Sequence, residues 1–192
     1  MFAQKSAKAL RRLYLLARKR YTEKIMSISE LLLTEFDAEM KITRLTLERV
    51  PFDKTGFAPH AKSMKLEKLA PHVAELPGFG LVVLTTPGLD FGGGGDRPRL
   101  PFESAGLLKG FDENVAKIRA ALKGISDQAW EETWKLSFQG KPIFSGQRFQ
   151  AYRQMFLNHL IHHRAQLGVY LRLNDKPLPA TYGPSADDTM GF

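Results

Sequence analysis

The sequence predicts an all-α protein, an antiparallel four-helix bundle with a short β-hairpin before the last helix. Two observations carry this reading. Four segments repeat apolar residues at helical spacing, and one stretch, "TWKLSF" (133–138), alternates apolar and polar residues as a strand does. With 192 residues the chain is long enough for one domain with a sizeable core.

The first 25 residues stand apart. They hold eight Lys/Arg against one acid, a net +7, which leaves only +1 of the overall +8 for residues 26–192. The basicity therefore belongs to an arm, and the near-neutral body lacks the basic surface that nucleic-acid binding needs. Leu10, Leu13, Tyr14, Ala17 and Tyr21 recur at helical spacing, so a basic amphipathic helix or an Arg-rich presequence fits the arm's composition. Its longest apolar run, "LYLLA", is too short for a secretory core or a membrane span. The blander expectation is a solvated, disordered arm, or an artefact of start-site choice with translation beginning at Met26. In favour of the latter, Ser27 and Glu30 have the spacing of a capping box that opens a helix. The expected domain is thus residues 26–192.

The elements of that domain follow in order. "ISELLLTEFDAEMKITRLTLER" (28–49) predicts a long helix stopped by Pro51. "MKLEKLAPHVAELPGFGLVVL" (64–84) predicts a second, capped by Ser63 and bent at Pro71 and Pro77. Residues 85–106 form a long loop. Gly92–Gly95 lie in it as a mobile stretch rather than a phosphate cradle, since no strand–glycine–helix motif surrounds them. The third helix, 107–123, has Phe111, Val115, Ile118 and Leu122 as its stripe. The hairpin follows, then a fourth helix from about Gly146 to Leu173, then a turn-rich tail.

Cysteine is absent, so disulfides, thiolate ligands and a cysteine nucleophile are excluded. Any bound metal must use His, Asp, Glu or water, and the composition fits a cytoplasmic protein. Three of the five histidines fall within "HLIHH" (159–163). His159 and His163 are one turn apart and differ by only about 40° around the axis, so both rings leave the same face. His162 lies about 100° from His163 and is expected not to share an ion with them. Tyr152 and Tyr170 fall near the line of the pair and Gln166 beside it. The pair is open to two readings: metal ligands, or inward histidines bonded to backbone or tyrosine. Leu160 stands where the metalloprotease motif has its glutamate, so that chemistry is absent. A third ligand could come from His60, in a Pro-rich loop, or from His72, flanked by Leu69, Val73 and Leu76 on the second helix. With His72 the set becomes three imidazoles from two helices, as bundle cores build metal sites.

Two stretches make a resemblance specific: "LERVPFDKTGFAPHAKSMKLEKLAPHVAELP" (47–77) and "NHLIHHRAQLGVYLRLNDKPLPATYGPSAD" (158–187). Over residues 27–189 the chain resembles the DinB/YfiT-like superfamily of metal-binding four-helix bundles. Where this chain has Ala165, that family often has glycine. The resemblance implies a metal triad of His72, His159 and His163 and a divalent ion, zinc or nickel ahead of iron or manganese. It also implies a small-molecule substrate. Characterised DinB-like bundles include thiol-dependent transferases and isomerases that use low-molecular-weight thiols, while others have no established activity. The expected function is a metal-dependent transferase or hydrolase, and the alternative is a non-catalytic metal-binding bundle of a stress or damage response. A homodimer fits the same picture. Glu75, Arg164, Gln166 and Tyr170 are candidates to support the ligands; Glu75 reads more simply as a solvated carboxylate on the helix face, and Arg164 either steers an anionic substrate or forms a structural salt bridge. Tyr182 and Asp187 are expected to fold back from the tail over the helices.

Overall fold

The computed structural model describes residues 26–92 and 99–190. The basic arm, and Gly93–Gly95 of the glycine run, lie outside the described residues. The rest is mostly helical, with a small three-stranded sheet.

Helix α1 (Ile28–Leu47) starts as the sequence requires. The Ser27 hydroxyl accepts from Glu30 N at 3.1 Å, and the Glu30 carboxylate accepts from Ser27 N at 2.9 Å. These bonds satisfy two of the orphan donors that every helix start exposes. Leu32, Phe36, Met40, Thr43 and Leu47 then form the buried face.

Helix α2 (Leu66–Thr85) starts later than the sequence suggests. Ser63 is not its cap. Lys65 takes that place without a side-chain bond, because preceding loop carbonyls serve the first N–H groups: Leu66 N donates to Phe57 O at 2.8 Å and Glu67 N to Thr55 O at 3.3 Å. The helix runs through both Pro71 and Pro77, each of which removes one backbone donor. At its other end the buried Arg148 guanidinium donates to Val83 O and Thr86 O, each at 2.7 Å, and so covers carbonyls that the helix cannot pair itself.

Strand β1 (Gly88–Asp90) was not legible in the long loop. It runs parallel to β2 (Thr133–Phe138), which pairs antiparallel with β3 (Lys141–Gln147) as the expected hairpin. Gln139 and Gly140 both have positive φ at the turn, as a two-residue hairpin loop needs. The Asp90 carboxylate ties β1 to that turn, accepting from Gly92 N, Ser137 Oγ, Gln139 N and Gly140 N.

Helix α3 (Ser104–Gly124) buries Leu107, Phe111, Ile118 and Leu122. The one-turn helix α4 (Asp127–Glu131) follows and buries Trp130. The last rod, 148–173, comprises α5 (Arg148–Ala151), a π-helical turn (Tyr152–Leu157) and α6 (Asn158–Leu173). Helices α1, α3, α2 and α6 contact one another in a closed cycle around one apolar core. No helix among the described residues is long and apolar enough to cross a membrane.

The helices pack closely at Gly80 of α2. A Cβ there would lie 2.8 Å from the Phe156 ring and would clash with Ile118. Gly→Ala inside a helix ordinarily gains about 1 kcal/mol. Here overpacking costs about 1–3 kcal/mol, so the sign reverses. Gly80→Ala is expected to lower the urea midpoint. A raised midpoint would mean that the helices are less closely packed.

Candidate metal centre

His72 lies on α2, and His159 and His163 lie one turn apart on α6. All three are half-buried, and one nitrogen from each comes within 4.8 Å of the others. His72 Nε2 is 3.4 Å from His159 Nε2, and His163 Nε2 is 2.8 Å from His159 Nε2. The opposite nitrogens of the α6 pair are turned outward. His159 Nδ1 faces Met155 O at 3.3 Å, and His163 Nδ1 faces Gln166 Oε1 at 2.7 Å.

The carbonyl oxygens favour one tautomer of the α6 pair, with the protons on the outer nitrogens. A carbonyl oxygen only accepts, so each Nδ1 carries the hydrogen and donates it. Both Nε2 atoms then present lone pairs toward each other with no hydrogen between them. Such a contact is repulsive until a cation sits at the point of convergence. Three imidazoles bound at about 2.0–2.1 Å around a tetrahedral ion have nitrogens roughly 3.3–3.4 Å apart. The His72–His159 separation meets that value, and the His159–His163 pair reaches it by opening about half an ångström. The donor set therefore fits a divalent ion.

The electrostatics agree. Burial, then the neighbouring His163, His159 and Arg99, push the His72 pKa from 6.5 down to about 4. Burial also lowers His159 and His163, against the opposing bonds to Met155 O and Gln166. Each ring is thus held neutral near pH 7, the form that ligates a metal.

The other candidates separate. His162 is exposed, and His60 is exposed with its Nδ1 accepting from Lys62 N at 3.1 Å; neither joins the cluster. Of the four supporting candidates, only Gln166 has a hydrogen bond to one of the three imidazoles. Glu75 instead accepts from Arg99 and from Leu100 N. Tyr170 donates to Met64 O at 2.6 Å and packs edge-on against Phe57. Arg164 does not face the centre and cannot steer a substrate there. It lies about 100° around the helix from His163, and it is buried in an ion pair with Glu39 at 2.6 Å. Its Nη1 also donates to Thr43 Oγ1, and its Nη2 to Tyr182 Oη.

The tail does fold back. Tyr182 Oη donates to Glu39, and the Asp187 carboxylate accepts from Arg172 and Leu178 N. Tyr152 leaves the histidine line altogether and packs against Trp130 and Phe156. The π-turn explains this: Asn158 N bonds Arg153 O across five residues, so the phase before it no longer matches an α-helical projection. The Met155 carbonyl behind His159 carried no sequence signal, because every residue has one.

No family model matches the chain, and no curated protein matches it. Among solved structures, a DinB-like protein of Bacillus cereus aligns with TM-score 0.60 and 19% identity, over 81% of this chain and 98% of that one. A DinB-like protein of Bacillus subtilis, YjoA, aligns with TM-score 0.56 and 18% identity, over 76% and 92% respectively. At these identities the likeness is one of fold. The chain has the DinB-like fold, with a three-histidine cluster compatible with a metal site.

The Arg164–Glu39 pair behind the centre generates a stability prediction. Glu39→Ala strands a buried guanidinium and should cost about 3–5 kcal/mol by urea denaturation. Tyr182→Phe removes one hydrogen bond on each side and should cost only about 1–2 kcal/mol. Equal, small losses for both would show that the pair is solvated.

Proposed function

We propose that this protein is a metal-dependent enzyme acting on a small molecule, with His72, His159 and His163 as the ligands of one divalent ion. The reading includes an antiparallel arrangement of α1, α2, α3 and α6, a cytoplasmic location and a homodimeric form. The observation that carries it is the convergence of three Nε2 atoms while the outer nitrogens of His159 and His163 already donate to carbonyl oxygens. An outer hydrogen bond of this kind fixes the tautomer and orients the ring toward the ion.

When bound, a divalent ion with three protein ligands supplies a Lewis-acid position at which a thiol or a water is held as its anion. The protein's own part is to hold three neutral rings in one geometry. Gln166 and Met155 O lock two of them, and the helix packing brings the third. Thiol transfer is favoured over hydrolysis, because the resemblance at 158–187 points to thiol-using relatives and, among the described residues, no carboxylate joins the cluster to serve as a base for water. Zinc or nickel suits an all-imidazole set, with iron and manganese as further options.

A second reading, a metal-binding bundle without turnover, has one observation in its favour. Two of the clefts among the described residues, of about 690 and 540 Å³, are lined by residues of Gly56–Lys68 and by the Ile161–Leu173 face with the tail, and neither of these two contains a triad histidine. Turnover in a screen of low-molecular-weight thiols with electrophilic acceptors separates the two readings.

Elemental analysis tests the centre itself. Full-length protein should hold close to one divalent ion per chain. His72→Ala, His159→Ala and His163→Ala should each nearly abolish it, and His162→Ala should leave it unchanged. Gln166→Leu should weaken affinity by about 10–100-fold, as loss of an outer hydrogen-bond partner does. Metal retained in His72→Ala but lost in His162→Ala would mean that the wrong helix face has been assigned.

A further inference from the structure

We propose that Arg99 is the specificity-determining residue of this centre, and that the metal-binding small molecule carries an anionic group a few bonds from the atom that meets the ion. The inference rests on the metal-centre reading above and adds to it the charge of the ligand.

Glu75 sits one turn beyond His72 on α2, a spacing that puts the two side chains about 5–6 Å apart at Cβ. Its carboxylate is committed on both oxygens. One accepts from Leu100 N at 2.7 Å and the other from Arg99 Nη1 at 2.9 Å. The backbone at 99–100 is therefore pinned to the helix that carries His72. On the other side the Leu100 side chain lies against Gly110 of α3, where even a Cβ would clash with it. Arg99 is thus held at its root by α2 and α3 together.

Its head is free to act. The Arg99 side chain is 72% exposed, whereas Glu75 is only 23% exposed. Among the described residues, Arg99 Nε and Nη2 have no protein partner. A guanidinium held by one nitrogen, with its remaining donors facing solvent, is arranged to receive a carboxylate, sulfonate or phosphate. Its bond to Glu75 keeps the guanidinium on the α2 face that carries His72 one turn away. Arg164, the other arginine near the triad, is taken up by Glu39, Thr43 and Tyr182.

The test uses the full-length protein loaded with Co²⁺ and titrated at low ionic strength with two thiols. The probes are 2-mercaptoethanesulfonate and 2-mercaptoethanol; the sulfonate coordinates metals weakly, so the pair differs mainly in charge. Sulfur-to-cobalt absorption reports binding of each. The native protein should bind the anionic thiol about tenfold more tightly, the worth of one charge-assisted hydrogen bond. Arg99→Gln should keep its cobalt spectrum and lose that preference, and Arg99→Glu should invert it. Arg119→Gln, which removes the arginine paired with Asp37 on α1, should keep it. An unchanged preference in Arg99→Gln, or no preference in the native protein, overturns the proposal. Absence of cobalt bands before any thiol is added overturns the metal centre itself, and that failure is visible separately.

Discussion

The site depends on how closely α2 approaches the last helix. His72 and the His159/His163 pair are far apart in sequence, and imidazoles reach only a few ångströms from their backbones. Their nitrogens meet because α2 packs directly against the last rod, along both its π-turn and α6. Gly80, where a Cβ would strike Phe156 and Ile118, marks how little space is left two turns along α2 from His72. The Arg148 guanidinium secures the far end of the same helix through Val83 O and Thr86 O. The small sheet takes part as well, because Trp134 of β2 packs edge-on against Phe79 of α2.

Within that frame the two sides of α6 do different work. One side presents His159, His163 and the Gln166 amide. The other sends Arg164 into a buried pair with Glu39, closed by Tyr182 from the tail. A buried ion pair contributes little net stability over an apolar pair, but breaking it is costly, so it fixes the rotation of the helix. Holding Arg164 inward also holds His163, the preceding residue, toward His72. The tail therefore contributes to the centre without touching it.

Much of this was legible in the sequence. The apolar periods located four long helices, Ser27 and Glu30 marked the first start, and "TWKLSF" gave the hairpin. The i, i+4 spacing of His159 and His163 and the apolar flanks of His72 brought together the three rings that the structure brings together. What was missed has physical causes. Strand β1 is three residues long in a glycine-rich loop, below the reach of a period-2 pattern. The start of α2 was displaced because carbonyls of Phe57 and Thr55, not a side chain, satisfy its first donors. Tyr152 was misplaced because a π-turn breaks the 100° step on which a helical projection relies. Tyr170 was assigned by angle alone, whereas Met64 O, which captures it, comes from a distant part of the chain; for Arg164 the structural salt bridge is the alternative that forms, with a partner, Glu39, that no local pattern names.

The central claim is that three imidazoles, and no other protein group, hold one ion. X-ray absorption fine structure of the zinc-loaded protein measures this directly. The account expects a first shell of light atoms at about 2.0–2.1 Å with outer-shell scattering from three imidazole rings, and one remaining exchangeable position. Outer-shell scattering from one ring or none, with oxygen filling the first shell, would contradict it.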